Sequence, residues 1–154
     1  MVQRAWLLSL PAASLLAISA EAKSLEITRL INTINSIGVP VLWESGGKLV
    51  CKEGTLGAYI PALRSISICV RNHYGNEDEL MRTIKHEGWH AVQDIFNKNK
   101  PAFDDNVIRS FLSRQDRNDL HQYHPSDRRL EAEARLVEKV ETERWIRGML
   151  IYCY

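Results

Sequence analysis

Asn76–Asn97 reads NEDELMRTIKHEGWHAVQDIFN, and the spacing of its apolar residues decides the architecture. Leu80, Ile84, Ala91 and Ile95 recur at the period of an amphipathic helix. Asn76 carries an N-capping side chain, and Glu77, Asp78 and Glu79 put negative charge in the first turn, where the helix terminus favours it. Glu79 stands three residues after the cap, the position that completes a capping box. Asn97 to Pro101 breaks the pattern. The spacing predicts a helix over about residues 77–97.

Ahead of this helix, Ser65-Ile66-Ser67-Ile68-Cys69-Val70 alternates with the period of a half-buried strand. Ala58-Tyr59-Ile60 reads as a short strand ended by Pro61, with Gly54 and Gly57 punctuating the approach. Val39 to Trp43 is a β-like run, and Ser45-Gly46-Gly47 is expected to turn it back into Lys48–Cys51 as a hairpin. Leu25, Ile27, Leu30, Ile31 and Ile34 mark a first amphipathic helix over Ser24–Ser36, stopped by Gly38. Lys98–Pro125 reads as irregular and polar, with a short apolar helical stretch near Val107–Leu112. A final helix is expected from Ser126 or Asp127 towards Ile146, packing through Leu130, Ala134, Val137, Val140 or Glu141, and Trp145. Helix, three or four strands, helix, loop region and helix make an α+β domain with a short antiparallel or mixed sheet.

The N-terminus reads as a separate device. Arg4 precedes an uncharged, mostly apolar run from Ala5 to Ser19, and Ala20-Glu21-Ala22 offers small residues for signal-peptidase cleavage after Ala22. The run is short for a membrane span and is interrupted by Pro11. Residues 1–22 are therefore expected to be a signal peptide, and residues 23–154 one exported domain, secreted, periplasmic or lumenal. The chain carries 20 Lys and Arg against 19 Asp and Glu. No broad basic patch calls for nucleic acid, and no acidic tract suggests a polyelectrolyte partner. An exported domain is free to form disulfides. Cys51 and Cys69 flank two predicted strands and form the favoured bridge, leaving Cys153 free or intermolecular.

Within the central helix, His86-Glu87-Gly88-Trp89-His90 sets two imidazoles at i and i+4 on one face, where they can grip one metal ion. Glu87 can bring a carboxylate beside water in an open coordination position, the minimal arrangement for a zinc hydrolase. Small and apolar neighbours, Gly88, Trp89, Ala91 and Val92, suit a helix packed inside a domain. Catalytic zinc sites take three protein ligands. The candidates for the third are Glu131, Glu133, His121, His124 and His73. Glu131 and Glu133 are two apart on a helix and point to nearly opposite sides, so only one can serve. Leu130 and Ala134 place Glu131 beside the buried face, with Glu133 nearer the solvated side of Arg129 and Arg135; periodicity favours Glu131.

A small sheet, an HExxH helix and a later helix bearing Leu130-Glu131-Ala132-Glu133-Ala134 resemble the zincin metallopeptidases, specifically their gluzincin-like branch, over about residues 58–140. Glu131 followed three residues on by Ala134 fits the ligand pattern of such families. Arg135 stands where an Asp often supports a zinc-bound His, and Asp94 is the candidate substitute. The longer metzincin form requires Gly and His where this chain has Phe96 and Asn99, and is excluded. The resemblance implies one Zn²⁺ on His86, His90 and Glu131, Glu87 as general base, and hydrolysis of peptide bonds in a peptide or protein substrate. Tyr123 and His124 are the candidate oxyanion donors. By analogy with zincins, the strand from Ser65 to Val70 would add its edge to an extended substrate. The alternative is an exported zinc-binding pseudo-enzyme or partner-binding module without catalysis.

Overall fold

The computed structural model describes residues 12–44 and 50–154. The first helix, α1, spans Ala12–Ser36, beginning a dozen residues before the expected start because the Ala- and Leu-rich run ahead of Ser24 is itself strongly helix-forming. Much of the expected signal peptide, residues 1–11, lies outside the described residues. Strands β1 (Val41–Glu44), β2 (Gly57–Ile60) and β3 (Ser65–Cys69) form a mixed sheet in the order β1-β3-β2, with β3 parallel to β1 and antiparallel to β2. Helix α2 (Glu77–Ile95) follows, then α3 (Asp105–Phe111), α4 (Arg114–Asp119), α5 (Arg128–Val137) and α6 (Thr142–Cys153). The expected α+β class holds. Among the described residues, no helix is long and apolar enough to cross a membrane.

Helix α2 is the axis of the domain. Asn76 caps it by accepting from the Glu79 N–H at 3.2 Å, as the sequence predicts. The reciprocal half of the capping box is not made: the Asn76 N–H donates to the His73 carbonyl, and the Glu79 carboxylate lies 3.7 Å from the His73 ring. Ile84, Trp89, Ala91 and Val92 are buried against Leu30 and Ile34 of α1, Ile66 and Ile68 of β3, Ala134 and Val137 of α5, and Trp145 and Met149 of α6. Gly88 is required at its place. A Cβ there would stand 2.9 Å from the Trp145 ring and 3.0 Å from the Ile34 Cδ1, so the missing side chain lets α1 and α6 close on the helix.

Four expectations need correction. The hairpin is replaced by parallel pairing of β1 with β3; Val50 and Cys51 lie outside any strand, and residues 45–49 are outside the described residues. Cys51 is drawn instead to the end of β3 by its disulfide with Cys69, the bridge the sequence favours. Cys153 is free. Strand β3 is buried along all five residues, not half-buried, because it is central and its serine face is covered: Ser67 donates to Glu44 and Cys69 is tied to Cys51. Lys98–Pro125 is less irregular than expected: α3 takes up the helical stretch expected near Val107–Leu112, and a further helix, α4, opens with a capping box between Ser113 and Asp116. The final helix breaks at Glu138–Glu141. That corner turns the Val140 carbonyl to the buried Lys85 Nζ at 2.8 Å, while Thr142 donates to Glu26 of α1.

Candidate metal centre

One turn of α2 and the first turns of α5 meet face to face. His86, Glu87 and His90 project from α2, and Glu131 from α5, into a cleft of about 400 Å³ also lined by Gly57, Tyr59, Asp94 and Tyr123. Among the described residues, His86, His90 and Glu131 form the group whose ligand atoms lie close enough to share a metal ion, all within 4.8 Å of one another. The two Nε2 atoms are 3.1 Å apart, and the Glu131 oxygens stand 3.4 Å from His86 and 3.3 Å from His90. Ligand atoms about 2.0–2.1 Å from a tetrahedral ion lie about 3.3 Å from one another. The spacing matches.

Hydrogen bonding behind the rings sharpens the point. His86 Nδ1 faces the Glu138 carboxylate at 2.7 Å, and His90 Nδ1 faces the Gln93 amide oxygen at 2.8 Å. Each Nδ1 therefore carries the proton, and in a neutral ring the Nε2 is left as a bare acceptor. Two such nitrogens and a carboxylate converge with no protein donor between them, and Glu131 Oε2 is buried without a hydrogen-bond partner. Only a cation or a proton satisfies that set. Burial pushes the His86 imidazole down, but Glu131, Glu138 and Glu87 outweigh it and hold its pKa at about 10. For Glu131 burial pushes upward, and the two imidazoles override it to about 2. The side chains are 14%, 18% and 16% exposed for His86, His90 and Glu131, sheltered yet reachable.

The general-base candidate is positioned by the sheet. Glu87 Oε2 accepts from the Tyr59 N–H of β2 at 2.8 Å. Gly57 permits this approach, since a Cβ there would stand 2.8 Å from the Thr83 methyl on α2. Strand β2, not β3, has its edge at the site; β3 is paired on both sides and has no edge to offer a substrate. A second cleft of about 480 Å³, lined by Thr55, Arg82, Arg135 and Glu138, shares His86, Glu87 and Tyr123 with the first. The two clefts meet at the ligand cluster.

The remaining candidates separate cleanly. Glu133 is fully buried, contrary to the expected solvated side, because the loop after α2 folds over that face of α5 and donates two backbone N–H groups to it. Asp94 accepts from the Tyr59 hydroxyl at 2.8 Å and hydrogen-bonds to neither imidazole; Glu138 meets the His86 Nδ1 instead. Tyr123 lines both clefts, half-buried beneath the Arg135 guanidinium at 5.9 Å. Burial and then the nearby Glu131 charge raise its hydroxyl pKa, against the pull of Arg135. His124 is exposed and turned to Ser126, so it is not brought to the cleft; His121 is exposed too. His73 is buried with its Nε2 on the Leu56 carbonyl, a packing role. Sequence reasoning missed Glu138, Gln93 and the Tyr59 N–H. Glu138 was signalled by its place two turns after Glu131, and Gln93 by its place one turn after His90.

Comparison with family models, with curated proteins and with solved structures returned no match.

Proposed function

We propose that the chain is a zinc-dependent amide hydrolase acting on peptides. The observation that carries the reading is the convergence of His86 Nε2, His90 Nε2 and one Glu131 carboxylate at 3.1–3.4 Å, with Glu87 alongside on an open cleft. Two imidazoles and a carboxylate suit zinc, and three protein ligands leave a coordination position free for water or substrate. Bound there, zinc supplies a Lewis acid that polarises a carbonyl and makes water acidic near neutral pH. Glu87 accepts the proton of the attacking water and delivers it to the departing nitrogen. Tyr123, which lines both clefts, donates a hydrogen bond from its hydroxyl to the developing oxyanion.

The open edge of β2 guides an extended substrate. Ladder groups alternate along a strand, and the Leu56 carbonyl pairs with Cys69, so Gly57 and Tyr59 direct their backbone groups away from β3; Glu87 takes the Tyr59 N–H, which leaves the Gly57 groups and the Tyr59 carbonyl for a substrate. A peptide laid along that edge runs from one cleft to the other across Glu87. The Cys51–Cys69 bridge suits an oxidising compartment, in keeping with export.

Glu87→Gln tests the role of the base. Zinc content is expected to stay at one per chain while cleavage of an unstructured protein such as casein falls by about 10²–10⁴-fold. Hydrolysis at the wild-type rate in that variant excludes Glu87. A wild-type protein that holds zinc and cleaves nothing is a binding module instead.

A further inference from the structure

Glu133 is wholly removed from solvent, yet it has no place among the ligands. Burying a carboxylate is costly unless hydrogen bonds replace its water. Three N–H groups do so: Ala102 N at 2.6 Å, Phe103 N at 2.7 Å and Gln93 Nε2 at 2.6 Å. The two backbone donors pin the loop that follows α2. The third leads back to the metal centre.

We propose that Glu133 is a positioning residue that sets the tautomer of His90 through the side-chain amide of Gln93. Gln93 is 1% exposed, and its two amide protons are both committed, one to Glu133 Oε2 and one to the Leu130 carbonyl at 3.1 Å. That leaves the amide oxygen facing His90 Nδ1 at 2.8 Å. Reversing the amide would press its oxygen against a carboxylate and a carbonyl at once, so the orientation is doubly determined. An amide oxygen in that place demands a proton on Nδ1, which turns the Nε2 lone pair towards Glu131 and His86. His86 needs no such relay, because Glu138 meets its Nδ1 directly. Glu131 and Glu133, two positions apart on α5, thus act on the same site from opposite sides: one from the front, the other from behind α2.

Its consequence for zinc rests on the reading above, but the ring state can be read without metal. In Glu133→Gln, a carboxamide nitrogen replaces the oxygen that accepts from Gln93, setting donor against donor. Side-chain ¹⁵N NMR of the metal-free protein is expected to show His90 as the Nδ1–H form in the wild type. In the variant it should show a substantial Nε2–H population for His90. Zinc affinity, measured by chelator competition, should fall about 10–100-fold. The exchanged pair Glu133→Gln with Gln93→Glu restores a donor–acceptor contact and should recover the Nδ1–H form, which a mere anchor for the loop would not. His90 remaining Nδ1–H in Glu133→Gln overturns the proposal, as does an affinity within twofold of wild type. If Glu133→Gln does not fold, Gln93→Met tests the same relay, and a wild-type His90 tautomer there overturns it equally. Wild-type protein that shows the Nδ1–H form yet takes up no zinc would sink the metal reading and leave the relay standing.

Discussion

Protons compete with a divalent cation for the lone pairs at His86. Free imidazole releases its proton near pH 6.5, but here burial is outweighed by Glu131, Glu138 and Glu87, and the ring holds its proton to about pH 10. Zinc must displace that proton. Below pH 10 the His86 proton must leave before zinc binds, so apparent zinc affinity continues to rise from pH 7 towards pH 10, about tenfold per unit. A plateau from pH 7 in a chelator-competition titration would show that His86 is not held in this way. The same scale exposes what a sequence can and cannot say about a carboxylate. Periodicity placed Glu131 correctly beside the imidazoles, yet it misjudged Glu133, because the loop that buries Glu133 comes from residues 102 and 103, a contact distant in sequence. Glu138 escaped notice for a similar reason: it sits just past the end of α5, where the helix turns away.

Helix α2 was legible because everything that makes it a helix is local: the Asn76 cap, the acidic first turn and the apolar period. Its burial was legible too, through Gly88, and this yields a prediction. Gly88→Ala should gain about 1 kcal/mol in helix propensity and lose about 1–3 kcal/mol to overpacking against Trp145 and Ile34. A net destabilisation of roughly 1 kcal/mol is expected in denaturant unfolding; an unchanged or raised midpoint would mean that α1 and α6 do not close on this face as described. The strands were legible as segments but not as a sheet. Nothing in Ser65–Cys69 reveals that it is central, since its alternation is cancelled by Glu44 and Cys51 covering the serine face. The edge at the site therefore fell to β2, where Gly57 admits the strand to α2. The break between α5 and α6 was equally hidden, because it is set by Lys85 reaching Val140 across the domain.

At the scale of the molecule, the sheet and helices are joined by one covalent tie and one candidate ionic one. The disulfide closes a separation of 18 residues between the loop ahead of β2 and the end of β3. Losing it in a Cys51→Ser, Cys69→Ser variant should cost about 3 kcal/mol by chain entropy. Zinc stoichiometry should not change, since the candidate ligands lie on α2 and α5. A variant that keeps its stability but loses its metal would reverse that division of labour. A metal ion on His86, His90 and Glu131 would tie α2 to α5, so zinc should stabilise the fold as a ligand of the native state alone. X-ray absorption at the zinc edge on the purified, zinc-loaded protein, compared with Glu131→Ala, tests whether His86, His90 and Glu131 share one ion. Two imidazole nitrogens and a carboxylate oxygen are expected at about 2.0–2.2 Å, with a light-atom ligand completing the set, and the variant should lose the carboxylate scatterer and hold less zinc. Sulfur in the coordination sphere, or a spectrum and metal content unaltered by Glu131→Ala, would contradict it.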